Sequence, residues 1–115
     1  MSIKRLESSA RMSQAVIANG FVFLAGQVAP DPSGSVVSQT RQVLGEIDRL
    51  LELAGSSKER ILSATIYLAD ISTFGEMNQA WESWVPADAK PARATVEAKM
   101  VAPEYRVEIQ VSALL

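Results

Sequence analysis

The sequence predicts an α+β domain in which a mixed β-sheet carries two helices on one face. Two observations lead to this fold class. Runs in which apolar residues cluster or alternate with polar ones occur near both ends of the chain and in its middle, and two segments with helical periodicity lie between them. A chain of 115 residues also has the length of one domain. Residues 1–115 are therefore predicted to form a single domain.

The N-terminal quarter predicts an edge strand followed by a hairpin. Residues 3–7 form a short strand in this interpretation, and the polar residues 8–14 an irregular connection. Two apolar runs, 15–18 and 21–25, flank Asn19-Gly20, a pair that tolerates the positive φ angles of a type I′ turn. Gly26 then ends the second run. It indicates either a close approach of the backbone to a ligand or a β-bulge.

Residues 29–34 have the composition of a loop, and a first helix is predicted from about Val37. Gly55 marks its end, and Gly45 inside it suggests close packing against the sheet. Its apolar stripe contains Val43, Ile47, Leu50, Leu51 and Ala54.

Residues 61–69 alternate and predict a strand, after which Thr73 and Glu76 have the spacing of a capping box for a second helix. Pro86 ends this helix. Its two tryptophans are expected to be core anchors, since no basic residues alternate with them. The apolar stripe contains Phe74, Met77, Trp81, Trp84 and Val85.

The last two strands are predicted at 91–97 and 107–112, paired as an antiparallel hairpin through the Pro103-containing segment 99–106. This pairing brings Arg93 near Glu108. Alternation then predicts one polar sheet face, which is either an ordinary solvated surface or a functional site. That face contains Ser63, Thr65, Tyr67, Arg93, Thr95, Glu97, Glu108 and Gln110.

Composition excludes several kinds of chemistry. The chain contains no cysteine and no histidine, which removes thiol nucleophiles, Ser-His triads and the usual zinc sites. A net charge of −2 with scattered basic residues disfavours nucleic acid as a partner. A 48% hydrophobic fraction favours an oligomer. No apolar run approaches the roughly 20 residues of a membrane helix, and the N-terminal residues Met-Ser-Ile-Lys-Arg lack the apolar core of a signal peptide, so we expect a cytoplasmic protein with no membrane partner.

Several fragments in order along the chain resemble the YjgF/Rid family of reactive intermediate deaminases. They are Ser13-Gln14-Ala15-Val16, Ala25-Gly26-Gln27, Gln39-Thr40-Arg41-Gln42, Tyr67-Leu68-Ala69-Asp70, Asn78, Pro91-Ala92-Arg93 and Val107-Glu108-Ile109. The resemblance implies a chorismate-mutase-like fold and a homotrimer with active sites in the clefts between subunits. It also implies hydrolysis of 2-imino and enamine acids, such as 2-aminoacrylate, to 2-keto acids and ammonia.

The resemblance assigns roles to individual residues. Arg93 would grip the substrate carboxylate with its planar two-pronged guanidinium, and Glu108 would orient or deprotonate the attacking water. Main-chain groups around Thr95 and Gly26, together with Asn78, would complete the pocket. An imine is already electrophilic, so positioning suffices, and neither a metal nor an organic cofactor is expected.

The chain departs from the family pattern at the rim of this pocket. Met12 stands where many deaminating members have tyrosine, Ala10-Arg11 replaces a Gly-Pro pair, Ala25 replaces a serine and Thr95 a cysteine. A flexible apolar side chain and an added cation favour larger or dicarboxylic imino acids. Two alternatives to the deaminase remain: a non-catalytic trimer that binds small carboxylates, and the RNA cleavage or translation inhibition attributed to some relatives.

Overall fold

Six strands form one mixed sheet in the computed structural model, which describes residues 2–115. The strands lie in the order β1-β2-β3-β6-β4-β5. This arrangement confirms the predicted α+β fold with a mixed sheet. The strands are β1 (Ile3–Ser8), β2 (Ser13–Ala18), β3 (Phe21–Leu24), β4 (Ile61–Leu68), β5 (Ala92–Glu97) and β6 (Val107–Leu114).

The first three strands form an antiparallel meander, as the turn sequence predicted. β2 and β3 pair directly around Asn19-Gly20, with Ala18 opposite Phe21. Both turn residues have positive φ angles, 53° for Asn19 and 81° for Gly20, as a type I′ turn requires. β1 pairs only with β2 and lies at the edge of the sheet, as expected. β2 begins two residues earlier than the apolar run, at Ser13.

Two helices connect the strands, and both were predicted. The first, α1 (Val36–Ala54), begins at Ser35, whose hydroxyl accepts a hydrogen bond from the Ser38 amide, and ends at Gly55 with a φ angle of 88°. The prediction for Gly45 is wrong. This glycine is exposed, and a Cβ atom added to it would meet no atom within 4 Å.

The second helix, α2 (Phe74–Trp84), starts by a different mechanism from the predicted capping box. A short 3₁₀ turn, Ile71–Thr73, precedes it, and the Asp70 side chain accepts a hydrogen bond from the Ser72 amide. The Thr73 hydroxyl donates to the Asp70 carbonyl and makes no capping bond. The capping-box prediction is therefore wrong, because an earlier aspartate already begins the turn.

None of the helices described within residues 2–115 is long and apolar enough to cross a membrane.

The predicted hairpin between the last two strands is wrong. β6 lies in the middle of the sheet, antiparallel to both β3 and β4, whereas β5 runs parallel to β4 at the far edge. Residues 98–106 therefore form a crossover between two strands separated by β4. The burial of the strands explains this order. Alternate residues of β6 lie in the core, while β5 has no fully buried residue and suits an edge.

The core lies between the two helices and one face of the sheet. Val43, Ile47 and Leu50 of α1 pack there against Ile66 and Ile109 of the sheet, all fully buried. The other face carries no helix. Phe21 and Phe23 are exposed there by 37% and 46%, next to Leu114, which pairs with Phe21. The single chain thus leaves an apolar sheet surface uncovered.

Candidate active site

Arg93 lies on the helix-covered side of the sheet, not on the opposite face with Glu108 as the sequence predicted. In the parallel pair β4–β5 it is opposite Ala64, a core residue. Thr95 and Glu97 share this side, because residues alternate along a strand. The error follows from the wrong hairpin, since pairing β5 to β4 instead of β6 changes which side its polar residues face.

The Arg93 guanidinium is held by three side chains of α2. Its Nη1 donates a 2.7 Å hydrogen bond to the Asn78 side-chain oxygen. Its Cζ lies 5.2 Å from the centre of the Trp81 ring and 5.7 Å from that of Phe74. Burial lowers the pKa of Arg93, and the nearby Glu82 carboxylate opposes this shift. Arginine nevertheless stays charged at neutral pH.

Phe74 and Trp81 were missed as site residues, because the apolar stripe of α2 predicted only core packing. A signal was present in the spacing. Phe74, Asn78 and Trp81 occur at i, i+4 and i+7, which places them on one face of the helix. An amide within an otherwise aromatic stripe indicates a polar partner opposite that face, and the partner is Arg93.

Thr95 offers a main-chain donor beside Arg93. The Ala98 amide donates to the Leu68 carbonyl of β4, so amides of alternate residues point toward β4 and the Thr95 amide points to the open edge of the sheet. Its hydroxyl is buried and has no hydrogen-bond partner within residues 2–115. An unpaired buried hydroxyl is costly, so this atom is a candidate for bonding a ligand.

Glu108 belongs to a second group of residues, on the helix-free side of the sheet. It is opposite Tyr67 of β4 and half-buried, between the core residues Val107 and Ile109. Its carboxylate accepts no hydrogen bond from the chain over residues 2–115. A carboxylate without an internal partner is free to bind water or a ligand.

Gly26 lies close to this carboxylate, a proximity that the sequence did not predict, and the expected approach of its backbone to a ligand stays a prediction. Gln27 exchanges two main-chain hydrogen bonds with Ile109, of 2.9 and 3.1 Å, and these bring Gly26 alongside Glu108. A Cβ on Gly26 would lie 2.2 Å from Glu108 Oε2. The Gln27 side chain donates to the Gln14 side chain at 2.8 Å and fixes the segment further. A residue without a side chain at position 26 leaves room for the Glu108 carboxylate.

The structure therefore does not bring all the predicted site residues together within one chain. Arg93, Asn78 and Thr95 lie at the β5 edge, whereas Gly26 and Glu108 lie near the middle of the sheet on its other side. β5 and β6 are two strand spacings apart, about 10 Å. Met12, with a 45% exposed side chain, lies just before β2, about 19 Å from β5 by the same spacing.

None of three surface depressions described within residues 2–115 joins the two groups. One of them, of about 310 Å³, lies beside the β5–β6 crossover and includes neither Arg93 nor Glu108. Within residues 2–115 no cluster of three acidic, histidine or cysteine side chains is arranged to hold a metal ion. The depression beside the β5–β6 crossover is lined by Ala69, Lys99, Met100, Val101, Ala102, Pro103 and Tyr105.

Together these features define a small α+β protein with a half-buried arginine, held by side chains of one helix, at one edge of its sheet. Comparison with known proteins identifies its family. The family model described as Endoribonuclease L-PSP matches residues 2–115. The RutC family protein of Haemophilus influenzae is 45% identical over 115 residues, covering 98% of each chain. The RutC family protein YoaB of Escherichia coli is 42% identical over 113 residues, also covering 98% of each.

Solved structures agree. A YjgF family member from Neisseria meningitidis superimposes with a TM-score of 0.96 at 45% identity, covering 99% of this chain and 95% of that one. A Rid family protein of unknown function from Yersinia pestis superimposes with a TM-score of 0.92 at 29% identity, covering 99% of this chain and all of that one. The chain belongs to the YjgF/RutC family, which confirms the resemblance noted from its sequence motifs.

Proposed function

We propose that the protein is a cytoplasmic imine deaminase that hydrolyses 2-imino and enamine acids to 2-keto acids and ammonia. The observation that supports this most is the state of Arg93. Its guanidinium is half-buried, is fixed by Asn78, and makes no other hydrogen bond within residues 2–115. A desolvated, preorganised guanidinium with unused donors suits a planar carboxylate. The Thr95 amide at the open strand edge adds a donor on the same side.

The active site in this proposal lies between subunits of a homotrimer. One chain places Arg93 and Glu108 on opposite sides of its sheet, so a cleft containing both needs Glu108 from a neighbouring subunit. The exposed apolar surface around Phe21, Phe23 and Leu114 supports such an assembly, since its burial would be favourable. The family resemblance supplies the number three.

The reaction needs only a positioned water and one carboxylate. Glu108 accepts a proton as the water oxygen bonds to the imine carbon, and the C=N electron pair moves to nitrogen, which takes up a proton. The protonated Glu108 carboxyl then gives its proton to the amine nitrogen of the resulting carbinolamine, the hydroxyl proton is lost to solvent, the C=O bond forms and the C–N bond breaks with ammonia as the leaving group. One imine and one water thus give one keto acid and one ammonia. The absence of a side chain at Gly26 leaves room for the Glu108 carboxylate in this position.

A coupled assay tests the proposal. An amino acid oxidase generates the imine, and the protein is expected to accelerate its loss and the release of keto acid. Arg93→Ala and Glu108→Gln variants should lose this acceleration, while both should remain folded. Equal rates with and without the wild-type protein would refute the proposal. Saturable pyruvate binding without acceleration would instead support the non-catalytic carboxylate-binding protein.

The choice of amino acid in this assay tests the pocket rim. If Met12 and Arg11 favour larger or dicarboxylic imino acids, imines made from leucine or glutamate should be preferred over that from alanine. An unchanged preference in Met12→Tyr and Arg11→Pro variants would contradict this. RNA cleavage, which the family model's description suggests, is not expected from a chain with no histidine and a net charge of −2.

A further inference from the structure

Three side chains of a single helix contact Arg93. Phe74, Asn78 and Trp81 all lie on one face of α2, and each is directed at the guanidinium. Both rings lie within 6 Å of Cζ, the range in which an aromatic face attracts a cation. Asn78 occupies one Nη1 hydrogen. The remaining N–H groups have no acceptor within residues 2–115.

The two rings differ in how firmly they are held. Trp81 is only 6% exposed and packs against Trp84 with ring centres 5.4 Å apart. Trp84 in turn donates a 2.9 Å hydrogen bond to Asp48 of α1, and the Lys58 ammonium lies 5.4 Å from its ring. The position of Trp81 is thus tied to both helices.

Phe74 is 43% exposed, although it begins the apolar stripe of α2. An exposed ring contributes little to the core. Its ring centre lies 5.7 Å from the Arg93 Cζ, and partial desolvation of the cation strengthens that contact. The ring is therefore partly exposed and also in contact with the guanidinium.

We propose that Phe74 and Trp81 are positioning residues that hold Arg93 in the orientation that binds the substrate carboxylate. The inference rests on the proposed function for its catalytic consequence. The rings remove rotational freedom from Arg93 before the ligand arrives, so less entropy is lost on binding. The unshared N–H groups of the guanidinium then stay available for the carboxylate, and the hydrogen bond from Nη1 to Asn78 fixes the rotation of the guanidinium.

The test compares Phe74→Leu, which removes the ring but keeps an apolar side chain, with Phe74→Tyr, which keeps the ring. Leu53→Ala is the control, because Leu53 is a 53% exposed apolar residue on α1. In the imine assay, Phe74→Leu should raise KM roughly fivefold with kcat nearly unchanged. Phe74→Tyr should rescue most of the loss seen in Phe74→Leu, and Leu53→Ala, which lies outside the site, should behave like the wild type. A fall in kcat with constant KM, or equal effects of the Leu and Tyr variants, would overturn the inference.

A second measurement does not depend on catalysis. The ¹⁵N relaxation of the Arg93 Nε–H group, identified by the signal that Arg93→Lys removes, reports how rigidly the side chain is held. We expect a rigid group in the wild type and in Phe74→Tyr, and a mobile one in Phe74→Leu. Equal mobility in all three would overturn the inference. If the wild type hydrolyses no imine, the proposed function fails, and the relaxation data still decide whether the rings position Arg93.

Discussion

Replacing Gly26 with alanine tests whether catalysis requires the Glu108 carboxylate where the structure places it. The new Cβ would lie 2.2 Å from Oε2 and 2.9 Å from Cδ of Glu108. Real Cβ contacts essentially never fall below 3.0 Å, so the carboxylate oxygen must move by at least 3.0 minus 2.2, or 0.8 Å. A misplacement of about 1 Å in an active site costs on the order of 100-fold in rate.

We therefore expect Gly26→Ala to lower kcat/KM for imine hydrolysis about 100-fold. Its free energy of unfolding should change by less than about 1 kcal/mol, because the half-buried Glu108 side chain can swing away and Gly26 does not have a positive φ angle. Gly45→Ala is the matched control, since it makes the same substitution where nothing lies within 4 Å. Its activity should equal that of the wild type.

A double variant shows whether the effect passes through Glu108. In a Glu108→Gln background, adding Gly26→Ala should change the residual rate little, because two substitutions that disable one group are not additive. Full activity in Gly26→Ala would refute the reasoning. A second 100-fold loss in the Glu108→Gln background would show that Gly26 acts through its own backbone instead.

Three further predictions concern stability. Gln39→Leu should lower the free energy of unfolding by roughly 2–4 kcal/mol in urea titrations, because the buried Gln39 amide bonds the Pro32 and Glu104 carbonyls and the Arg106 amide; an unchanged midpoint would contradict this. Gly45→Ala should raise it by about 0.5–1 kcal/mol, since the position is exposed within α1, and a loss would show an unrecognised packing role. Hydrogen bonds from Ser72 lower the pKa of Asp70 in the folded protein. The stabilisation from this carboxylate is therefore complete above its unfolded pKa of about 4 and is lost as pH falls through the lower folded value. Below pH 4 the free energy of unfolding should depend less on pH in Asp70→Asn than in the wild type, and the same pH dependence in both proteins would refute this prediction.

Local sequence signals predicted most of the elements. Asn19-Gly20 gave the hairpin, Gly55 gave the end of α1, and Pro86 gave the limit of α2 to within two residues. Each signal acts through the backbone of its own neighbours, so no knowledge of distant residues is needed. The family motifs likewise named Arg93, Asn78 and Glu108 as candidates.

Strand order and facing could not be obtained from the same signals. A nine-residue connection is compatible with a hairpin or with a crossover, and only packing against other strands decides between them. The apolar residues of β6 are Val, Ile, Val, Ala and Leu, of which the β-branched ones fit a central strand, whereas those of β5 are mostly alanine. That contrast favours β5 at the edge. In this position β5 places Arg93 on the helix-covered side of the sheet, where α2 contacts the guanidinium.

The α2 capping error has a local cause of a different kind. Thr73 and Glu76 match the capping-box spacing, but Asp70 competes for the start of the helix three residues earlier. Its carboxylate accepts bonds from both the Ser72 amide and hydroxyl. Two overlapping start signals cannot be ranked from spacing alone, because the winner depends on where β4 ends.

Mixing two inactive variants tests the central claim most directly, namely that Arg93 of one subunit works with Glu108 of another. Arg93→Ala and Glu108→Ala proteins would each be inactive alone. After dissociation and joint reassembly, random assortment in a cyclic trimer should restore about a quarter of the sites, each with Arg93 from one variant and Glu108 from the other. Recovery of imine hydrolysis near that level is the predicted result. No recovery, from mixed trimers confirmed to have formed, would contradict the account.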